Sequence, residues 1–172
     1  MITLRAIEES DLGLIQLWRN STYVMPYCRQ YRPLSYQDMV NWYETKKDDD
    51  YNLTTDLFMI MSDMTPIGVG GYTRIDWRNR KGEVSFYVGK VDSLDEKTII
   101  EALSVVVAYG LRTLNLFKVY FPCYSNNPYL EYYEKVMERE YTAPKEYYWN
   151  GVYLDRIILS KYEDCKCETM TL

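Results

Sequence analysis

Residues 67–89 read IGVGGYTRIDWRNRKGEVSFYVG, and this stretch decides the fold. Two apolar runs, 67–76 and 83–89, lie on either side of a polar turn at 79–82, which is typical of two antiparallel strands with a tight connection. A third apolar run at 56–62 precedes them, and a short turn separates it from the next run. We therefore predict a three-stranded antiparallel meander at the centre of the chain.

Helices are predicted on both sides of this meander. Residues 96–114 place apolar side chains at every third or fourth position, which is the spacing of an amphipathic helix. Toward the N-terminus the same spacing appears at 9–20, and Ser35 is typical of the N-cap of a helix over 36–47. A short strand over 3–7 precedes both. The flanks therefore add one strand and three helices to the meander.

The C-terminal third adds three strands and one helix. An apolar strand is predicted over 117–124, and a helix over 127–138 follows it. Strands over 145–149 and 152–160 are joined by Asn150-Gly151, a strong signal for a two-residue hairpin. The resulting order, β-α-α-β-β-β-α-β-α-β-β, predicts an α/β fold in which a mixed sheet carries helices on both faces.

Composition limits the chemistry that the chain can perform. Its 172 residues suit one domain, which we place at 1–162 with a polar tail over 163–172. Histidine is absent, so Ser-His-Asp and Cys-His catalysis and zinc binding by imidazole are excluded. The chain has 20 basic and 25 acidic residues, and its net charge of −5 argues against broad binding to nucleic acid or to an anionic membrane.

The sequence resembles that of an ordinary cytoplasmic protein. Acidic residues soon follow its first strand, which is unlike a signal peptide. The longest apolar run, 102–111, is too short to span a bilayer. We predict reduced cysteines and no bound metal, because the 4 cysteines lack the spacing of a metal site. These cysteines are Cys28, Cys123, Cys165 and Cys167.

The order of the elements and the segments that fill them resemble the GNAT superfamily of N-acetyltransferases. The similarity runs from Leu4 to about Ser160 and is closest to the branch that acetylates ribosomal-protein N-termini and amino-sugar nucleotides. The matching segments are Leu4-Arg5, Trp18-Arg19-Asn20, 67–71, 75–80, 83–89, 101–103, Asn126 with Tyr132-Tyr133-Glu134-Lys135, and 150–155. The resemblance implies an acyl-CoA N-acyltransferase fold of about seven strands and about four helices.

The resemblance also implies a reaction and a cofactor. Members transfer an acetyl group from acetyl-CoA to a primary amine, so the acceptor would be a small-molecule amine or a protein N-terminus. Their fourth and fifth strands splay apart, and the pantetheine arm pairs there with backbone that corresponds to Phe86, Tyr87 and Val88. The further cofactor contacts that it implies are Lys97, Thr98 and Asn126. Asn126 is equally typical of an ordinary helix cap.

Two residues are candidates for moving protons. A primary amine has a pKa of about 10 and must lose a proton before it attacks, and without histidine Glu83 is the best candidate base, directly or through a water. Tyr133 matches the tyrosine that protonates the departing thiolate in many members. The alternatives are a solvated strand-end carboxylate beside Arg80 or Lys81 and a half-buried aromatic residue. The residues expected on the acceptor side are Trp18, Arg19, Asn20 and Ser85.

One segment departs from the family pattern. Between the fourth strand and the central helix, members carry Q/R-x-x-G-x-G/A, whose backbone N–H groups hold a pyrophosphate. This chain has Asp92-Ser93-Leu94-Asp95-Glu96-Lys97, in which Ser93 and Glu96 fit a capping box that would occupy the same donors. We therefore expect a degenerate phosphate loop with weak or lost binding of acetyl-CoA. The alternative function is a catalytically inactive GNAT-fold binding protein.

Two surface features leave the partners open. A basic-aromatic patch is either a solvated hairpin tip or a contact for phosphate or nucleic acid. It consists of Arg74, Trp77, Arg78, Arg80 and Lys81. The chain also has 19 tyrosines, many of them late in the sequence. This late cluster fits ordinary core and surface packing, a homodimer face or an acceptor cleft.

Overall fold

The computed structural model describes residues 1–47, 54–89 and 94–163, which form a seven-stranded sheet flanked by helices. The strands are β1 Ile2–Ala6, β2 Asp56–Ser62, β3 Thr65–Asp76, β4 Lys81–Val88, β5 Lys118–Tyr124, β6 Glu138–Trp149 and β7 Val152–Tyr162. The α-helices within those ranges are α1 Leu12–Arg19, α2 Tyr36–Lys47, α3 Glu96–Ala108 and α4 Leu130–Tyr133, and a 3-10 turn over Glu9–Asp11 precedes α1. This architecture confirms the α/β fold that the sequence predicts.

The strands lie in the order β1-β2-β3-β4-β5-β7-β6. Neighbouring strands are antiparallel except for β4 and β5, which run parallel. Strands β2, β3 and β4 are the predicted meander, and Asn150 and Gly151 adopt φ values of 46° and 87° in the predicted hairpin turn. A parallel pair needs a crossover connection, which α3 supplies between β4 and β5.

Each face of the sheet buries a layer of helix. On one face, Leu103 of α3 belongs to an apolar cluster with side chains of β3, β4, β5 and β7. On the other face, Leu12 of α1 packs in a second cluster that includes Val69 of β3. The consecutive residues Met59 and Ile60 of β2 belong to opposite clusters, as the alternation of side chains along a strand requires.

The C-terminal end of α3 departs from a regular α-helix. The helix predicted over 96–114 is α-helical only to Ala108 and continues as a π-helix turn over Tyr109–Thr113. A Cβ on Gly110 would lie 2.1 Å from the hydroxyl oxygen of the fully buried Tyr72, so this ring occupies the space that a side chain would need. The Tyr72 hydroxyl donates to the carbonyl of Val106 at 3.0 Å and ties the sheet to the end of α3.

The region after β5 differs most from the prediction. The helix expected over 127–138 is limited to one turn, α4, because 134–137 form turns and Glu138 already begins β6. Strand β6 therefore has 12 residues rather than the expected 145–149. It pairs with β7 at the edge of the sheet, and most of its side chains are exposed. An exposed edge strand lacks the alternation of apolar and polar residues on which strand prediction depends.

We predict opposite effects for two glycine-to-alanine changes. Gly110→Ala should lower the free energy of unfolding by about 1–3 kcal/mol, because the new methyl group overlaps the buried Tyr72 ring. Gly13→Ala in α1 should raise it by about 0.5–1 kcal/mol, because its Cβ meets nothing within 4 Å and alanine favours a helix. Urea unfolding followed by circular dichroism measures both. Equal effects would contradict the close packing of α3 on the sheet.

Candidate active site

A cavity opens where β4 and β5 separate. The two strands pair only at Lys81 with Lys118, Gly82 with Val119 and Glu83 with Tyr120. Beyond these pairs they diverge around a cavity of about 450 Å³, which is walled by both strands and by the segment between α1 and α2. The splay that the resemblance implies is therefore present in the structure.

One wall of this cavity is the backbone of β4. The edge of β4 that faces β3 is paired as far as Val88, which lies opposite Gly68. The edge that faces β5 has no strand partner after Glu83, so backbone at Phe86 and Tyr87 borders the cavity. Buried N–H and C=O groups need partners, and an amide-containing chain laid along β4 would supply them. The residues expected to hold pantetheine, 86–88, thus lie where such a chain fits.

Glu83 lies at the closed end of the splay with 3% of its surface exposed. Its Oε1 accepts a hydrogen bond from Nη2 of Arg29 at 2.5 Å, and its Oε2 accepts one from Nη1 of Arg74 at 3.0 Å. The alternative of a solvated carboxylate beside Arg80 or Lys81 is wrong, because the group is buried between two other arginines. The role of Glu83 as a base stays a prediction.

Sequence reasoning missed Arg29. It comes from the irregular segment between α1 and α2, 54 residues before Glu83 in the chain, and no local pattern marks it. The Tyr147 hydroxyl of β6 donates to the carbonyl of Cys28 at 2.8 Å and holds this segment over the cavity. The ring of Tyr147 also stacks on Tyr124 with a centroid distance of 3.8 Å. Only the folded chain brings these distant residues together.

Tyr133 lines the cavity and packs against aromatic residues of β4 and β5. Only 3% of its surface is exposed, and its ring centroid lies 5.8 Å from that of Phe86 and 5.2 Å from that of Phe121. Burial raises the pKa of the Tyr133 phenol well above its usual value, because the anion would lose its hydration. A phenol is protonated at neutral pH even at its ordinary pKa of about 10, so Tyr133 carries the proton that a donor needs.

Two adjacent asparagines precede α4, and the structure separates them. Asn127 lines the cavity, whereas the predicted Asn126 is exposed. The side-chain oxygen of Asn127 accepts a hydrogen bond from the amide of Tyr129 at 2.9 Å, which stabilises the turn into α4. Spacing to Tyr133 selects Asn126, but spacing alone does not say which of two neighbours faces inward.

Arg19 and Ser85, two of the four residues expected on the acceptor side, line the cavity. Arg19 donates from Nε to Oε1 of Gln30 at 3.0 Å, and its guanidinium lies 5.9 Å from the centroid of the Tyr87 ring. The Tyr87 phenol is neutral at neutral pH at its ordinary pKa, and burial raises that pKa further.

Trp18 and Asn20, the other two, hold the backbone around the cavity. A Cβ on Gly89 would lie 2.0 Å from the Trp18 ring, so the indole packs directly against the chain at the end of β4. The Asn20 side chain accepts from the amide of Leu34 and donates to its carbonyl, both at 2.8 Å. These two residues therefore fix backbone beside the cavity, and their place on an acceptor side stays a prediction.

The N-terminal end of α3 is capped by the side chain of the residue that precedes the helix. Asp95 is the N-cap, and its carboxylate accepts a hydrogen bond from the amide of Thr98 at 2.9 Å. Hydrogen bonds from the side chain and amide of Thr98 lower the pKa of Asp95. The N-cap of α3 is therefore Asp95 and not the predicted Ser93; aspartate caps as well as serine and also gains from the helix dipole. Ser93 and Asp92 themselves lie outside the described residues.

The next two residues of α3 are exposed. Glu96 forms an ion pair with Lys135, which follows α4 and neutralises one of the carboxylates at this helix end. Lys97 lies on the surface beside it. The degenerate phosphate loop stays a prediction, because 90–93 are outside the described part of the chain.

The basic-aromatic patch is largely paired within the protein. Its ion pairs join Arg74 to Glu83, Arg80 to Glu163 at 2.9 Å, and Lys81 to Asp76 at 3.8 Å. Such pairing reduces the attraction for a polyanion. A nucleic-acid partner therefore gains no support from this patch.

The late tyrosines divide between the cavity and the surface. Tyr129 and Tyr133 line the cavity. Tyr141, Tyr148 and Tyr153 are exposed on the β6–β7 hairpin. A homodimer through this hairpin stays a prediction.

Metal clusters and membrane spans were sought among the residues that the structure describes. No group of three or more Cys, Asp or Glu side chains there is arranged to hold a metal ion. None of the helices there is both long and apolar enough to cross a membrane.

Known proteins share this architecture. No curated protein matches the sequence. Spermidine N-acetyltransferase from Vibrio cholerae in complex with CoA and spermine is 22% identical, with a TM-score of 0.80 over 94% of this chain and 95% of that chain. A chimera of the Vibrio cholerae enzyme and hSSAT is 21% identical, with a TM-score of 0.78 over the same shares, 94% and 95%. The Vibrio cholerae enzyme with manganese ions is 20% identical, with a TM-score of 0.74 over 94% and 92%.

At these identities the structural likeness shows the fold alone. The branch that acetylates ribosomal-protein N-termini and amino-sugar nucleotides stays a prediction. A family model described as an acetyltransferase (GNAT) domain matches residues 1–139, from β1 to the start of β6. This match covers most of the chain and includes the splayed strands with Glu83 and Tyr133, and the chain therefore belongs to the GNAT acetyltransferase family.

Proposed function

We propose that this protein transfers an acetyl group from acetyl-CoA to a primary amine of a small molecule. The observation that carries the proposal is the cavity between β4 and β5, where unpaired backbone, a buried carboxylate and a buried phenol face one space. Its volume of about 450 Å³ suits a small ligand. A protein N-terminus is the other acceptor that the family resemblance implies.

The residues of the cavity fit the pantetheine arm of acetyl-CoA. Unpaired N–H and C=O groups at 86–88 would bind its amides in the manner of an added strand. When bound, acetyl-CoA supplies an acyl group activated as a thioester. The phosphate end fits less well, because Asp95 already accepts from the amide of Thr98. Lys97 is the cation of the described residues closest in sequence to this helix end.

Tyr133 would supply the proton that the departing sulfur needs. Its phenol carries a proton at neutral pH, and burial among aromatic rings raises its pKa further. The same apolar surroundings exclude water, which strengthens a hydrogen bond from the phenol to developing negative charge.

Glu83 would accept the proton that the amine loses, directly or through a water. A carboxylate has about four acceptor positions on its two oxygens. The hydrogen bonds from Arg29 and Arg74 use two of these positions and fix the orientation of the group. The remaining positions are available to the amine or to a bridging water.

The first test replaces the phenol of Tyr133. Tyr133→Phe should lower kcat about 100-fold or more, because no group would protonate the departing sulfur, while the retained ring preserves the packing. Tyr132→Phe, on the neighbouring and partly exposed tyrosine, is the matched control. Release of free thiol from acetyl-CoA measures the rate with a panel of amines. An unchanged kcat in Tyr133→Phe would remove Tyr133 from the mechanism.

The second test concerns the N-cap of α3. Asp95→Asn should tighten CoA binding about 3- to 5-fold, because asparagine keeps the cap while a negative charge leaves the phosphate end. Asp76→Asn is the control, since Asp76 likewise accepts from a backbone amide, that of Asn79 at 3.0 Å, but lies at the opposite end of β4. Titration calorimetry measures both affinities.

The CoA titration and the acetylation assay together distinguish acetyl transfer from the alternative function of an inactive binding protein. A wild-type protein that binds no CoA and acetylates no amine would establish the inactive binding protein as the correct function. An unchanged affinity in Asp95→Asn would show that the phosphates do not approach this helix end.

A further inference from the structure

The cavity is cationic although the protein is acidic. Among the residues that the structure describes, its charged lining consists of three arginines and one carboxylate, Arg19, Arg29 and Arg32 against Glu83, whereas the whole chain has a net charge of −5. Arg32 is paired with Asp38 on the surface, so its charge is compensated. The charges of Arg19 and Arg29 therefore decide which ligands the cavity attracts.

The cluster around Glu83 keeps an excess of positive charge. Arg29 and Arg74 bind one oxygen each of the same carboxylate, which leaves two cations against one anion. Arg29 remains 52% exposed, and its hydrogen bond to Glu83 uses one of the five N–H donors of the guanidinium. Arg29 can therefore bind a second oxyanion from the cavity side.

Arg19 adds a second uncompensated charge. Its side chain contacts the neutral partners Gln30 and Tyr87, and no carboxylate within the described ranges forms an ion pair with it. The Tyr87 ring and the Gln30 amide hold the Arg19 guanidinium in place without neutralising its charge. The cavity thus presents two fixed guanidinium groups with spare donors, a pattern that recognises carboxylate or phosphate.

We infer that the amine acceptor carries an anionic group, a carboxylate or a phosphate, which Arg29 and Arg19 bind while the amine lies toward Glu83. This inference rests on the proposed acetyl transfer. A polyamine such as the spermidine of the structural neighbours would bring several positive charges to a cavity in which the one carboxylate among the described lining residues already holds two arginines. Like charges at short range in a cleft repel strongly, so the acceptor class of this chain differs.

The experiment uses pairs of amines that differ in one anionic group. O-phosphoethanolamine is compared with ethanolamine, β-alanine with propylamine, and spermidine represents the polyamines. Turnover with acetyl-CoA is measured for each, and calorimetry measures binding of each amine in the presence of CoA. We expect the anionic member of a pair to have a kcat/KM about 10- to 100-fold higher than its neutral counterpart, with spermidine the poorest acceptor.

Variants locate the anion site. Arg29→Gln should raise KM for the anionic amines about 10-fold or more and leave KM for acetyl-CoA unchanged. Arg74→Gln removes the other ion pair of Glu83 from outside the main cavity, and it should keep the preference for anionic amines. Arg112→Gln, on the exposed turn after α3, controls for the loss of one positive charge.

The outcomes distinguish this inference from the proposed function. If amines are acetylated without preference for the anionic members, or if Arg29→Gln keeps that preference, acetyl transfer stands and the inference is overturned. If the anionic amines bind in an Arg29-dependent way but none is acetylated, the anion site stands and acetyl transfer falls. Efficient acetylation of spermidine would overturn the inference directly.

Discussion

The end of the hydrogen bonding between β4 and β5, after Glu83 and Tyr120, is the constraint on which the rest of the site depends. Two strands paired along their whole length would leave neither room nor free backbone for a ligand. Here the rings of Phe86, Phe121 and Tyr133 pack against one another where the strands diverge and fill one side of the gap. The edge of β4 beyond Glu83 borders the cavity, where a ligand can complete its hydrogen bonds.

Local charge differs between the cavity and the start of α3. At the closed end, Arg29 and Arg74 outnumber the carboxylate that they share, and this end attracts anions. At the start of α3, Asp95 occupies an amide and places a negative charge there, which disfavours anions. The two regions therefore favour opposite charges, independent of the net charge of the whole chain.

Much of the fold could be predicted because its signals are local. The meander and the hairpin at Asn150-Gly151 depend on neighbouring residues, and both are confirmed. The end of the helix after β5 could not be predicted, because pairing of β6 with β7 begins already at Glu138. The length of β6 could not be predicted either, because this exposed edge strand lacks an alternating apolar pattern. Within the site, Glu83 and Tyr133 follow from the family pattern, but Arg29 has no local signal because its partner lies 54 residues away.

The sequence by itself determined the order of elements, the absence of imidazole chemistry and the two proton-moving candidates, because these depend on residue type and spacing along the chain. Only the tertiary structure decided that Asn127 rather than Asn126 lines the cavity, that Asp95 caps α3, and that two arginines enclose Glu83. Such facts depend on distances between segments remote in the chain. Those distances are set when the sheet packs between its helices, and no local pattern encodes them.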